Sequence, residues 1–191
     1  MCSIIGYYSN TPTDEHRYII KKLIRESVIR GEHAYGLTYR DRKQYKLKKY
    51  FQDEYEFIDF PITSQLIFHS RYSTSGDFKI HSNNQPLQHG ETHLVFNGVI
   101  DMGVEFNDGI LVLNNGTPEK MLEYVSGGNC SFAGLLLHGG KLYGFRNPNR
   151  PAWILKYQDA TFVASTRDIF RRALGNVEPT EMTPNKLYVW N

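Results

Sequence analysis

The chain has 191 residues, of which 22% are charged and 40% hydrophobic, and its formal net charge at pH 7 is +2. This composition is typical of a globular protein that buries one substantial core, and it argues against a disordered or membrane-embedded chain. The net charge is too small to indicate a nucleic acid or an acidic membrane surface as a partner, and the apolar runs are too short to cross a bilayer.

The first predicted strand, "CSIIGYYS" at 2–9, leads into a predicted helix in "TPTDEHRYIIKKLIRESVIRG" at 11–31. In this helix Thr11 and Asp14 resemble a capping box, and Gly31 provides the stop. Strand patterns follow in "AYGLTYR", "QYKLKKYF", "SQLIFHSRY" and "ETHLVFNG".

A second helix is predicted in "TPEKMLEYVSGG" at 117–128, where Thr117 can cap the first turn. The strand patterns "CSFAGLLLH", "KLYGFR", "AWILKY" and "TFVAST" come next. A third helix runs from Ser165 or Thr166 to Gly175, and "KLYVW" is the last strand. Runs of adjacent strands with few helices between them predict antiparallel sheets with helices on their faces. The fold class is α+β, and we expect a single domain over 1–191.

The chain contains two cysteines, Cys2 and Cys130, too few for a disulfide framework or a zinc cluster. No secretory signal is visible, so we expect a reducing, cytoplasmic setting. Four histidines lie close together in the chain, but their spacing fits no zinc motif, and we expect no metal: His69, His81, His89 and His93.

Cys2 has two interpretations. In the first, Cys2 is a small apolar residue that opens a core strand, as most free cysteines in such a position do, and the segment "MCSIIGYY" alone favours this interpretation. If Met1 is removed, however, Cys2 carries a thiol and a free α-amine. The amine titrates near neutral pH, so it can take the thiol proton and later return a proton to a leaving group such as ammonia.

Two further segments have a functional interpretation beside an ordinary structural one. In "SRYSTSG" at 70–76, the Arg71 guanidinium beside hydroxyls and backbone N–H groups suits a carboxylate, although a surface turn also fits. In "LVFNGVI" at 94–100, Asn97-Gly98 is a hairpin signal, but the Asn97 amide and the Gly98 N–H also suit an oxyanion hole. "RGEHAYGL" at 30–37 reads by itself as a helix-to-strand turn.

The order "MCxIxG", "RGxxxxGL", "HxRYxTxG", "NxQP" and "xNGxI" resembles the glutaminase domain of class II glutamine amidotransferases, which are N-terminal nucleophile hydrolases. The later "LYGFRNPNRPAWILKYQDATFVASTRDIF" is similar to that family as well, so the resemblance covers nearly the whole chain. It implies a four-layer αββα sandwich of two antiparallel sheets. It also implies hydrolysis of the glutamine side-chain amide through a γ-glutamyl thioester, with no cofactor.

The resemblance implies a role for each matching residue. Cys2 is the nucleophile with its own α-amine as the base, and Asn97 and Gly98 form the oxyanion hole. Arg30 and Gly31 support the nucleophile. The glutamine α-carboxylate is held by Arg71, in a pocket shaped by Tyr72, Thr74, Ser75 and Gly76.

The sequence departs from the family pattern at three places. The usual Asp-Ser or Asp-Asp pair after the Arg-Gly is His33-Ala34, and the histidine before Asn-Gly is Phe96. The aspartate that binds the glutamine α-amino group has no clear counterpart. Asn115 or Gly116 falls at its position, with Asp108 and Glu119 as the substitutes nearby.

The family usually fuses this domain to a synthase that uses the ammonia. We expect no fused synthase in this chain, and therefore a separate ammonia-accepting subunit. Two alternatives remain: an N-terminal cysteine hydrolase of another amide, and an inactive domain of the same fold that binds a partner.

Overall fold

The computed structural model describes residues 1–74 and 76–191, so Ser75 lies outside the described residues. The strands in these residues are β1 Ser3–Tyr8, β2 Ala34–Asp41, β3 Gln44–Phe51, β4 Gln65–Arg71, β5 Leu87–His89, β6 Thr92–Val99, β7 Ser131–His138, β8 Lys141–Arg146, β9 Trp153–Tyr157, β10 Ala160–Ala164, β11 Thr180–Glu181 and β12 Tyr188–Trp190. The α-helices are α1 Asp14–Val28, α2 Gly109–Leu113, α3 Pro118–Gly127 and α4 Arg167–Leu174, and short 3₁₀ helices cover Gln52–Phe57 and His81–Asn83.

The strands form two antiparallel sheets. One has the order β11-β9-β10-β1-β4-β2-β3, and the other has the order β12-β8-β7-β6-β5. In the first sheet β1 is central, because it pairs with β10 on one side and with β4 on the other. The start of β1, where Cys2 lies, is therefore held by neighbours on both sides.

The two sheets pack face to face, and helices cover their outer faces. Ile4, Val95 and Ala133 belong to the core between the sheets. On the other side of β1, Ile5 packs with the apolar face of α1 and with α4. The outer face of the second sheet packs against α2 and α3, where Met121 is fully buried. These layers confirm the predicted α+β class and the αββα sandwich.

Apolar residues on both faces of β1 follow from this arrangement, since a strand between a helix layer and a second sheet has no solvated face. All six residues of β1 are buried. By contrast, β3 is an edge strand that exposes Lys46 and Lys48, as its alternating sequence predicts.

Two helix starts differ from the predictions. Thr13, not Thr11, caps α1 by accepting the His16 N–H at 3.2 Å. The Thr11 hydroxyl instead donates to Asp159, because the chain has not yet entered the helix at that point. For α3 the predicted Thr117 cap is confirmed, with the Lys120 N–H as its donor.

At α4 the N-cap residue is Thr166, without a side-chain hydrogen bond. Ser165 accepts the Ile4 N–H from β1 at 2.8 Å. The sequence analysis did not predict α2 or β11.

No helix in residues 1–74 or 76–191 has both the length and the hydrophobicity that a membrane crossing requires. In the same residues, no group of three or more His, Cys, Asp or Glu side chains is placed to hold a metal ion.

Candidate active site

Cys2 lies at the start of β1, next to the end of β4. The register that pairs Ser3 with Ser70 brings Cys2 opposite Arg71. The Cys2 thiol contacts the backbone of Tyr72, the residue after Arg71. Sγ lies 3.4 Å from the Tyr72 nitrogen, whose N–H donates to it, and 3.3 Å from the Tyr72 carbonyl oxygen. The strand and this backbone contact together fix the sulfur atom.

The surroundings of the thiol keep it protonated. Burial raises the pKa of Cys2, and the Asp108 charge acts in the same direction. The Tyr72 N–H, the terminal amine and Arg71 oppose this effect but do not cancel it. A thiol of this kind needs a base before it can attack a carbonyl carbon.

The α-amine of Met1 lies in a cationic corner beside Cys2. Burial lowers the pKa of this amine, and the charges of Arg30 and Arg150 lower it further, while Cys2 acts in the opposite direction. Arg30 Nη2 and Arg150 Nη1 each lie 3.8 Å from the Met1 sulfur. With Met1 in place the nitrogen of Cys2 belongs to a peptide bond, so Cys2 has a free α-amine only after Met1 is removed.

Arg71 is 3% exposed and is held by its surroundings. Nη1 donates to Asn84 Oδ1 at 2.5 Å, and Nη2 donates to the carbonyl of Gly76 at 2.9 Å. Gly31 lies against the backbone of the same residue, because a Cβ at Gly31 would be 2.5 Å from the Arg71 carbonyl carbon. The predicted supporting glycine thus allows α1 to end directly against the arginine.

The other residues predicted for this pocket differ in their exposure and in their contacts. The Tyr72 side chain is 49% exposed, whereas its backbone contacts the thiol. Thr74 is exposed. Gly76 has a φ of +65° and turns its carbonyl toward Arg71. Ser75 was also predicted here and lies outside the described residues.

Asn97 and Gly98 are at the end of β6, in the facing sheet. Asn97 is buried, and a Cβ at Gly98 would lie 2.0 Å from the Ser131 carbonyl oxygen, so the strand requires glycine there. His69 pairs with Ile4, and burial together with the Arg71 charge lowers its pKa to about 3, against a smaller opposing effect of the Phe96 backbone. Strand β6 is therefore in contact with β4 near His69, two residues before Arg71.

The structure places a carboxylate in this crevice that the sequence analysis treated only as a substitute. Asp108 is 4% exposed and directly precedes α2. Its Oδ2 accepts the N–H groups of Ile100 at 2.7 Å and Asp101 at 3.1 Å. Its charge acts on both the Cys2 thiol and Arg71.

The positions assigned from the sequence to the missing aspartate are different. The Asn115 side chain donates to the carbonyls of Leu111 and Val112 and ends α2. Gly116 has a φ of +86° in the turn that follows, and Glu119 is exposed in the first turn of α3. From the sequence Asp108 was named only as a substitute, because α2, which it precedes, is short and carries no strong sequence signal.

His33 and Phe96, which depart from the family pattern, both have structural contacts. His33 Nδ1 accepts the Ser73 N–H at 3.0 Å. Phe96 is buried and stacks on Phe132, and its N–H donates to Gln85 Oε1 at 2.6 Å. Two residues of the "NxQP" segment thus accept hydrogen bonds at the site: Asn84 accepts from Arg71, and Gln85 accepts from the backbone of β6.

No protein-family model matches the sequence, and no curated protein matches it. Solved structures do match. A glutamine phosphoribosylpyrophosphate amidotransferase from B. subtilis matches with a TM-score of 0.75 and 18% identity over 98% of this chain. This chain spans about half of that enzyme's length, 47%.

Two shorter proteins match over nearly their whole length. A predicted glutamine amidotransferase from Pseudomonas aeruginosa has a TM-score of 0.58 and 15% identity, with 99% of this chain and 97% of that chain covered. A glutamine aminotransferase class-II domain protein from Silicibacter pomeroyi has a TM-score of 0.62 and 12% identity, with 98% and 94% covered. At these identities the likeness concerns the fold, and the chain therefore has the N-terminal nucleophile hydrolase fold.

Proposed function

We propose that this protein hydrolyses the side-chain amide of glutamine, with Cys2 as the nucleophile once Met1 has been removed. The observation that carries the proposal is that the Cys2 thiol lies opposite the buried Arg71, with the buried Asp108 close enough for its charge to act on both. A nucleophile, a cation and an anion are the groups needed to hold and attack an amino acid at its side chain. The structural neighbours include glutamine amidotransferases, which supports this choice.

Arg71 and Asp108 hold the two charged ends of the substrate in this proposal. The planar guanidinium of Arg71 pairs with the glutamine α-carboxylate. Asp108 faces the α-amino group, so the position first sought at Asn115 or Gly116 belongs to Asp108. Tyr72, Thr74 and Gly76 shape the carboxylate end; Ser75, predicted to belong with them, lies outside the described residues.

The reaction proceeds in two steps. The Cys2 α-amine takes the thiol proton, and the sulfur attacks the amide carbon, whose oxygen is stabilised by the Asn97 amide and the Gly98 N–H. The C–N bond then breaks as the ammonium group of Cys2 returns the proton, and ammonia leaves with a γ-glutamyl thioester remaining. The amine next takes a proton from water, which attacks the thioester, and glutamate and the free thiol result.

The cationic corner beside the terminal amine supports this division of roles. For the amine of Met1, burial and then the charges of Arg30 and Arg150 lower the pKa, whereas burial raises the pKa of the Cys2 thiol. After removal of Met1, the Cys2 α-amine would lie beside the same two arginines, which favours its unprotonated form, and the thiol would supply the proton.

We also propose that the ammonia is passed to a separate acceptor enzyme in the cytoplasm. Ammonia released into water at neutral pH is mostly protonated and no longer nucleophilic, so direct transfer to a partner avoids this loss. The B. subtilis neighbour, about twice as long as the part that this chain matches, supports an acceptor function beyond the region shared with this chain.

The test is the intact mass of the protein before and after treatment with 6-diazo-5-oxo-L-norleucine, an electrophile that mimics glutamine. We expect loss of Met1 and one adduct, abolished in Cys2→Ala. The Arg71→Lys variant keeps the charge but loses the planar fork, so it should slow this labelling without slowing labelling by iodoacetamide. Buried Cys130 serves as an internal control thiol.

Other results would favour the alternatives. A processed Cys2 that reacts with iodoacetamide and ignores the glutamine mimic indicates hydrolysis of another amide. A retained Met1 without labelling by the mimic indicates an inactive domain that binds a partner.

A further inference from the structure

His33 is hydrogen-bonded to the last residue of β4 and to the second residue after it. Its backbone N–H donates to the carbonyl of Arg71 at 3.0 Å, and its Nδ1 accepts the N–H of Ser73 at 3.0 Å. A backbone N–H can only donate, so Nδ1 must be the nitrogen without a hydrogen. The imidazole in this structure is therefore neutral, with its hydrogen on Nε2.

The ring is also clamped between two aromatic side chains. It stacks on Tyr72 with the centroids 4.7 Å apart and on Phe78 with the centroids 4.8 Å apart, at interplanar angles of 25° and 23°. Tyr72 is the residue whose backbone contacts the Cys2 sulfur. A movement of the His33 ring would thus be transmitted to the peptide unit that fixes the nucleophile.

We propose that His33 is a positioning residue for Cys2, and this rests on the proposed function. Its neutral imidazole holds the backbone of Tyr72 and Ser73 so that the thiol and the Arg71 pocket keep their mutual orientation. The resemblance implies an acidic residue at this place, whereas this chain has a histidine that acts as an acceptor. A misplacement of the sulfur by about 1 Å lowers the rate of attack strongly.

The hydrogen bond requires this tautomer of the ring. A hydrogen on Nδ1 would face the hydrogen of the Ser73 amide, and the contact would be lost. The recess of about 660 Å³ beside the ring is also lined by Asp53 and Lys79.

Three variants test this. His33→Phe keeps a stacked ring and removes the acceptor, and His33→Asn supplies an acceptor oxygen that does not titrate. The matched control is His81→Phe, because His81 also stacks on an aromatic ring, Phe51, at 4.0 Å but lies away from the thiol. For each we would measure kcat and KM for glutamine hydrolysis between pH 5 and 9.

We expect His33→Phe to lower kcat by about tenfold, the upper range for one lost hydrogen bond. His33→Asn should stay within about threefold of the wild type, by the same reasoning. His81→Phe should match the wild type. Equal behaviour of His33→Phe and His81→Phe would overturn the proposal, and so would a kcat of His33→Asn as low as that of His33→Phe.

Long-range proton–nitrogen NMR of the His33 ring separates this inference from the proposed function. If the wild type neither hydrolyses glutamine nor reacts with the glutamine mimic, the proposed function fails. The NMR result still decides the inference: an unprotonated Nδ1 at neutral pH, with faster or slower alkylation of Cys2 in His33→Phe, supports it. A protonated Nδ1 overturns it.

Discussion

Gly31→Ala is the substitution whose effect follows most directly from the structure. A Cβ at Gly31 would lie 2.5 Å from the carbonyl carbon of Arg71, 2.7 Å from the Tyr72 nitrogen and 2.9 Å from the Arg71 oxygen. All three are backbone atoms, so no side-chain rotation relieves the contact. Ordinary contact begins at 3.4 Å, so the end of β4 must move by close to 1 Å.

Both stability and activity should fall in this variant. Overpacking of this kind costs about 1–3 kcal/mol, and each kcal/mol lowers the Tm of a chain of this size by about 2–4 °C. Because the displaced atoms belong to Arg71 and Tyr72, we expect kcat/KM for glutamine to fall by roughly 10²-fold. Calorimetry and a coupled glutamate assay would measure the two effects.

The matched control is Gly127→Ala, at the last residue of α3. No atom lies within 4 Å of a Cβ at that position, and alanine favours the helix, so its Tm should stay the same or rise. Wild-type Tm and kcat/KM in Gly31→Ala would refute the close approach of α1 to the arginine. A lower Tm with unchanged kcat/KM would refute its importance for the site.

Three further predictions concern single residues. Asn97→Ala should lower kcat by about 10²–10³-fold with little change in KM, since it removes the proposed oxyanion donor, and steady-state kinetics would check this. Asp108→Asn should lower the pKa of the Cys2 thiol, because the Asp108 charge raises it; alkylation by iodoacetamide should then shift to lower pH while glutamine binds more weakly. Burial lowers the pKa of His69 to about 3, so between about pH 6.5 and 3 the unfolded chain binds a proton that the folded chain does not. The free energy of unfolding should fall by up to about 1.4 kcal/mol for each pH unit as the pH decreases through that range. Urea titrations at several pH values should show that this free energy depends less on pH in His69→Gln.

The layers of the fold were predictable because they depend on patterns within single strands and helices. The apolar faces of β1 and the alternation of β3 gave the correct elements, and the resemblance gave their arrangement. The capping residue of α1 was wrong by two positions, since Thr11 and Thr13 both have suitable side chains and only the contact of Thr11 with Asp159 separates them. The five residues of α2 carry no such pattern, and the sequence analysis missed them.

The candidate site also combines residues from strands with a regular sequence pattern and residues from segments without one. Cys2, Arg71 and Asn97 lie at the ends of strong strands, so their positions follow once the sheets are known. Asp108 and Asn84 reach the crevice from segments without a regular pattern, and their roles depend on contacts between distant parts of the chain. Sequence spacing could not have distinguished Asp108 from Asn115, because the length of α2 decides which of them faces the thiol.

The division between strands and loops also bears on how such a site can change its substrate. Every residue of β1 is buried between a helix layer and a second sheet, so a change there disturbs the core and the nucleophile together. His33, Tyr72 and Gly76 lie in connections beside the same thiol, where a change alters the shape of the pocket and leaves the sheets intact. Specificity for the amide should therefore depend on these connections. Within them, the chain departs from the family pattern most directly at position 33, where a histidine replaces the expected acid.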